Sequence, residues 1–350
     1  MSTSSTTSTN TNSTSTGGTS TGGTNTGSID RYRNVALPVL DHGHVMLVDY
    51  MGSDTRIEEV ARLSYNTGGL APPLGSEKAR SENGGGQSGR SVNDTRGLLR
   101  YLVRHSHSSP MEQVCVTLDM KLPIFVARQL VRHRTQKLNE VSARYSVLPE
   151  EFYLPPLSQV CVQSEVNKQG RGHALDLEAG VIARESIKQH SENGFRLYHD
   201  LLERGVARET ARMVLSVNTY THWCTTWDAH NLLHMLKLRL DPHAQWEVRE
   251  YARVVSEIVQ VWLPLTWEAF TDYTLRSVKL SRGEWEVLVQ SVNREHVERL
   301  LSLPASVPTE GGMGGGSGGT GAGGGRGLSL REKREFLALL SPTPTPTPVV

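Results

Sequence analysis

The chain is poor in cysteine, in long apolar runs and in any excess of charge, and each shortage excludes a class of protein. Its three cysteines, Cys115, Cys161 and Cys224, are odd in number and far apart, which excludes a disulfide framework and CxxC metal sites and points to a reducing compartment. No apolar run approaches the ~18 residues of a membrane span; the longest, such as 122–127, are core-sized. The 37 Lys and Arg stand against 36 Asp and Glu, a net charge of +1. That balance argues against a protein that coats nucleic acid, which needs a surplus of cations. No regular βαβ rhythm and no GxGxxG turn between a strand and a helix is present, so a Rossmann fold is not indicated. No basic start or apolar block opens the chain, so no secretory signal is expected. A cytoplasmic protein is the expectation, with organellar targeting left open, although the absence of arginine from the first 28 residues weakens it.

Charged residues at 21% and hydrophobic ones at 37% are low for a globular protein because low-complexity ends dilute them. Residues 1–28 hold 19 Ser or Thr, five Gly and three Asn, too little apolar surface to offset chain entropy, and read as a disordered tail. Residues 67–92 read as a flexible loop inside the folded part. Residues 304–327 read as a Gly-rich linker, with 12 glycines in the 17 positions 311–327, and 328–350 as a short helix followed by a Pro/Thr tail. That leaves 29–303 as one large folded domain, or two intimate ones.

Within it, 44–50 (HVMLVDY) reads as a strand, and Thr55 with Glu58 fits a capping box opening a helix with Ile57, Val60 and Ala61 on one face. Asp94 is placed to cap a helix carrying Leu98, Leu99, Leu102 and Val103. Val114, Val116, Leu118 and Met120 alternate with polar residues as in a half-buried strand. Pro123 suits the first turn of a helix through IFVARQLVRHR. Further helices are expected over 177–204, around 208–215, over 229–239 and from Pro242 to Trp262, the last capped by Asp241. A β-rich stretch covers VNTYTHW. Ser-x-x-Glu precedes apolar helices at 280–292 and 328–340, read as peripheral. The class is mixed α+β.

The densest chemical signal is 128–144, which carries Arg128, Arg132, Arg134, Lys137 and Arg144 against one acid, Glu140. Arg128 and Arg132 lie four apart, and like charges at that spacing repel on a helix. A neutral protein that concentrates cations in this way is equipped to bind an anion. Gln129, Asn139, Glu140 and Ser142 add amide, carboxylate and hydroxyl groups. The set suits a nucleotide, with guanidinium forks for phosphate and amide or carboxylate for base or sugar. A solvated basic surface or an RNA-contacting patch is the alternative reading of the same residues.

The string RHRTQKLNEVSARYS resembles the flavin-dependent thymidylate synthase signature RHRxxSxNExSxR. It matches at Arg132, His133, Arg134, Asn139, Glu140, Ser142 and Arg144 and departs at Lys137, where the pattern has Ser. VDYMGSD, RHSHSSPMEQ, LPIFVARQ, QSEVNKQGR, ETARMVL, HNLLHMLKLR and HAQWEVREYA extend the resemblance over most of 44–273; the termini and the 67–92 loop lie outside it.

The resemblance implies reductive methylation of dUMP to dTMP. Methylenetetrahydrofolate would be the one-carbon donor, FAD the hydride carrier and NADPH the reductant, in a homotetramer of α+β subunits that share active sites. It implies FAD contacts at Ser109, Arg132, His133, Arg134, Glu140, Asp228, Ala229, His230 and His234, of which Asp228 and His230 replace the Asn and Arg of some members. It implies dUMP contacts at Gln129, Arg132, Glu140, Val141, Ser142, Ala143, Arg144, Arg212 and Arg239. Arg239 corresponds to the arginine that ionises the uracil ring, and preorganised charge aimed at a developing anion is commonly a large catalytic contribution. No protein nucleophile, no metal, no nucleic acid and no membrane partner is expected. His230 and His234 share the spacing of an HExxH zinc site, but Asn231 stands where that motif has its Glu, and His105 and His107 form only an HxH. NKQGR (167–171) is assigned no role.

Overall fold

A computed structural model describes residues 28–64, 91–166, 168–302, 328 and 330–340. The Ser/Thr tail up to residue 27, the loop up to residue 90, the Gly-rich segment 304–327 and the Pro/Thr tail lie outside the described residues. The chain divides into two compact units, 1–277 and 278–350. No described helix is long and apolar enough to cross a membrane.

The first unit is organised by a five-stranded sheet. Its strands are β1 (Ala36–Val39), β2 (Gly43–Met51), β3 (Cys115–Pro123), β4 (Lys137–Glu140) and β7 (Tyr220–Asp228), in the order β1-β2-β3-β7-β4. All four ladders are antiparallel. Two short strands, β5 (Cys161–Gln163) and β6 (Arg171–Ala174), pair apart from it. The mixed α/β class follows, with no parallel βαβ unit among the described residues.

The strand alternation read from 114–120 is what divides the sheet's faces. Val116, Leu118, Met120 and Leu122 are buried, as are Val45, Leu47, Trp223 and Trp227 on the neighbouring strands. They pack with α6 (Ala229–Arg239) and α7 (Trp246–Trp262), whose Val248, Tyr251, Ala252, Val255 and Val259 are buried at the spacing the sequence shows. Each such side chain contributes ~1.5–3 kcal/mol on burial. The outward residues of β3, Cys115, Thr117, Asp119 and Lys121, are half-buried.

Helix starts and stops differ from the sequence spacing where distant partners intervene. Helix α1 (Asp54–Leu63) begins at Asp54, and the expected Thr55–Glu58 box does not form. Glu58 is buried and accepts instead from Arg62 Nε at 2.8 Å and Thr95 Oγ1 at 2.6 Å, tying α1 to α2 (Val92–Arg104). Asp54 is also buried; it accepts from the Leu265 and Thr266 amides and the Thr266 hydroxyl, at the start of α8 (Pro264–Phe270). Burial pushes its carboxyl up, against those bonds. Ser91 caps α2, and Asp94 is the third helical residue, closing that capping box, not the cap.

Helix α3 (Ile124–Leu130) stops earlier than its apolar pattern suggests. The Gln136 amide donates to the Leu130 carbonyl at 2.8 Å, satisfying a helix-end acceptor from outside, so Arg128 and Arg132 do not share one helix. Helix α4 (Leu177–Glu203) is capped by Asp176 and ends before Gly205, whose φ of +80° only glycine adopts readily. Helix α5 (Arg208–Ala211) leads into a 3-10 turn at Arg212–Val214. Helix α7 starts at Trp246 after Gln245, not at Pro242; Asp241 accepts from the His243 amide in the preceding turn. In the second unit, Ser281 and Glu284 form the expected box on α9 (Arg282–Ser291), followed by α10 (Arg294–Ser302) and α11 (Leu330–Leu339).

Gly43 marks a close approach between sheet and α7. A Cβ there would lie 2.0 Å from Tyr251 Oη and 2.8 Å from the Lys121 carbonyl, where the Tyr251 hydroxyl donates to that carbonyl at 2.7 Å. Gly43→Ala should therefore break this bond and cost ~1–3 kcal/mol. Urea unfolding should show a lower midpoint at an unchanged m-value.

Candidate active site

The residues singled out in 128–144 leave the sheet at the end of β3 and return along β4. Leu130 ends α3, His133 is buried, and Lys137–Glu140 pair with β7 as an edge strand, Glu140 opposite Trp223. Two cavities meet at Glu140. One, of ≈ 400 Å³, is lined by Ile124, Glu140, Ser142, Arg212, Thr221 and their neighbours, including Val141 and Ala143. The other, of ≈ 330 Å³, is lined by Ile124, Ala127, Arg128, Val131, Arg132 and Glu140. The Glu140 carboxylate accepts from the Thr221 hydroxyl at 2.6 Å, which fixes it on the wall common to both. A third cavity, of ≈ 250 Å³, has apolar walls (Val103, Met111, Leu233, Phe270) and polar residues His230, His234 and Lys237.

Arg239, in the last turn of α6, is held from two sides. Its Nε donates to His133 Nε2 at 3.0 Å and a terminal nitrogen donates to the Gln129 carbonyl at 2.9 Å. A guanidinium can only donate, so His133 must accept and is the neutral Nδ1–H tautomer. Its environment enforces this. Burial, then the charge of Arg239 and then His234, lower the His133 pKa to about 4. The His133 and His234 rings meet edge to face at 6.1 Å, joining Arg239 to the third cavity's wall. Burial also lowers the Arg239 pKa, yet a guanidinium starts so high that it keeps its charge.

Behind Gln129 lies a polar chain that sequence spacing did not reveal. Gln129 Nε2 donates to Gln245 Oε1, and Gln245 Nε2 donates to Glu247 Oε2 at 2.9 Å. Glu247 is fully buried; its other oxygen accepts from Tyr153 Oη at 3.1 Å and Arg171 at 2.6 Å. Burial and Glu247 together push the Tyr153 hydroxyl far up. The only sequence signal for this group was an acid one residue into α7, within HAQWEVREYA. Arg171 gives the NKQGR segment a structural role.

A family model described as "Thymidylate synthase complementing protein" matches residues 46–265. The chain is 44% identical over 261 residues to a flavin-dependent thymidylate synthase of Ehrlichia ruminantium (strain Gardel), covering 75% of this chain and 81% of that one. It is 45% identical over 250 residues to one from Ruegeria pomeroyi, covering 70% and 76%. The chain belongs to the flavin-dependent thymidylate synthase family. A solved UMP/dUMP methylase, PolB from Streptomyces cacaoi bound with 5-Br dUMP, is similar at 32% identity with a TM-score of 0.57, over 69% of this chain and all of that one.

Not every residue marked by the flavin-dependent thymidylate synthase signature reaches these cavities. Glu140, Val141, Ser142, Ala143, Arg212, Arg132, His230 and His234 line them, and Gln129, His133 and Arg239 are joined beside them. Ser109, Arg134 and Arg144 are exposed and line none of the three; Arg144 pairs with Glu209 at 3.2 Å. Asp228 caps α6 through the Asn231 amide at 2.9 Å and binds the Asn231 side chain at 2.7 Å, so its carboxylate is occupied structurally. Ala229 is buried and donates its amide to the Val114 carbonyl.

The His133–Arg239 bond has a pH signature. The native histidine pKa, about 4, is depressed below its ordinary 6.5, so the unfolded chain binds the proton first. Stability from this group should be constant above pH ~7 and fall as pH drops from 6.5 towards 4, by on the order of 3 kcal/mol. Denaturant unfolding of wild type and His133→Gln across that range should show their stability difference shrinking towards low pH.

Proposed function

We propose that this flavin-dependent thymidylate synthase family member converts dUMP to dTMP, with FAD as cofactor, methylenetetrahydrofolate as one-carbon donor and NADPH as reductant. The carrying observation is the pair of cavities that meet at Glu140, whose walls mix guanidinium, carboxylate and hydroxyl groups. A nucleoside monophosphate needs that mixture: cations for the phosphate, and acceptors and donors for sugar and base. Arg212 and Arg132 would take the phosphate, with Glu140 and Ser142 on the sugar and base side.

The third cavity fits a flavin nucleotide by its donor set, because apolar walls suit a ring system and His230, His234 and Lys237 suit its polar groups. When bound there, FAD supplies the hydride chemistry. The residues of this chain do the rest. Arg239 stays protonated, so it cannot remove a proton as a base; it stabilises the anion left when the uracil imide loses one. His133 and the Gln129 carbonyl hold its guanidinium in place. Burial, and then the charge of Arg239, keep that ring neutral, so it adds no competing cation.

No protein nucleophile is needed. Cys115 is half-buried on the outward side of β3, and burial and then Asp228 push its thiol up, the opposite of what an attacking thiolate requires. None of the three cysteines lines the cavities around Glu140. Assembly into a homotetramer with shared sites is supported by Ser109, Arg134 and Arg144, residues marked by the resemblance that line none of the three cavities described, and by the exposed edge strand β4.

Purified protein should be yellow with flavin absorbance, and anaerobic mixing with NADPH, methylenetetrahydrofolate and dUMP should yield dTMP. Arg239→Ala should keep the flavin but lower turnover by ~100–1000-fold, the cost of losing one donor to a developing anion. A colourless protein without dTMP formation would refute the activity, and near-wild-type turnover of Arg239→Ala at saturating dUMP would refute the role of Arg239.

A further inference from the structure

The outward face of the sheet carries a second constellation, away from the cavities. His44 on β2, Asp119 on β3 and His222 on β7 come from three adjacent strands and point to the same side. His44 Nε2 lies 2.8 Å from Asp119 Oδ1, and His222 Nε2 lies 2.8 Å from both Asp119 oxygens. The two rings stand 5.8 Å apart at 67°, so they converge on the carboxylate and do not stack. Among the described residues, this is the group of three His, Cys, Asp or Glu side chains whose ligand atoms all lie within 4.8 Å of one another. The HxxxH of α6 and the HxH of His105 and His107 are not part of it.

We propose that His44, Asp119 and His222 form a binding site for a divalent transition metal of the Zn²⁺ class. Two imidazole nitrogens and one carboxylate oxygen are a borderline donor set that suits zinc, not the all-oxygen shell of calcium or magnesium. Ligand atoms 2.8 Å apart move only slightly to accept an ion ~2.0–2.2 Å from each. The ion takes the place of the imidazole protons shared with Asp119, leaving each ring protonated at Nδ1.

The scaffold is stiff where the site needs it. His44 and His222 both face Lys121 in the ladders, and Asp119 is two residues before it, so register alone sets the convergence. The Lys121 ammonium on the same face is drawn off to Glu151 at 2.6 Å, which keeps this cation from competing for the site. Met46 and Cys224 are the ladder partners of Asp119 on either side. Side-chain exposures of 25%, 19% and 52% for His44, Asp119 and His222 leave an entry path and room for water in the remaining positions. The ion then ties together β2, β3 and β7.

Calorimetric titration of the chelator-treated full chain with Zn²⁺ tests this directly. The expected result is one ion per chain. Asp119→Asn and His222→Ala should each weaken it by at least the ~10–100-fold that loss of an outer-shell partner costs, while His243→Ala, an exposed histidine on Asp241, leaves it unchanged. The wild-type Co²⁺ form should also show the d–d absorption of a tetrahedral or five-coordinate ion, a readout that does not depend on variant folding. No stoichiometric binding, a purely octahedral Co²⁺ spectrum, or an affinity indifferent to both substitutions would overturn the site.

Discussion

The β3–β7 ladder is the constraint on which the rest depends. Its nine consecutive pairs, from Cys115↔Asp228 to Pro123↔Tyr220, fix two strands that are 97 or more residues apart in the chain. Segments emerging from their ends are then forced together. From the Pro123 end come α3 and the Gln129–His133 stretch; at the Asp228 end α6 begins and carries Arg239 back across the core. The Ile124 amide donates to the Thr219 carbonyl at 2.9 Å and closes the corner where these segments meet. Burial of Val116, Leu118, Met120 and Leu122 against Trp223 and Trp227 keeps the register from slipping, because a one-residue shift would turn all of them to water.

Much of this was legible in the residues. Alternation marked β3, the helices expected over 229–239 and from Pro242 to Trp262 marked α6 and, four residues early, α7, and of the spaced string Arg132, Glu140 and Ser142 line the cavities. What stayed hidden was decided at long range. Thr55 and Glu58 have the spacing of a capping box, but Glu58 is claimed by Thr95 and Arg62, and the helix starts at Asp54 because Thr266 meets it. Helix α3 ends where Gln136 returns to Leu130, six residues on, a contact no periodicity records. Asp228 matches a ligand position by pattern and serves as a helix cap by geometry. Buried acids such as Glu247 are invisible in sequence, because their partners Tyr153 and Arg171 come from segments 94 and 76 residues away.

The chain from Glu247 to Gln129 also has a direction. A buried carboxylate has no hydrogen to offer, so Gln245 must turn its NH₂ towards Glu247 and its oxygen towards Gln129. Gln129 must then spend a side-chain N–H on that oxygen, which leaves its side-chain Oε1, not the backbone carbonyl held by Arg239, as the uncommitted end. Primary amides are nearly symmetric in shape and could otherwise flip freely. Here one acid, two residues of amide away, dictates which atom Gln129 shows. The polarity of that end is thus written in the core, and whatever meets that oxygen has to arrive as a donor.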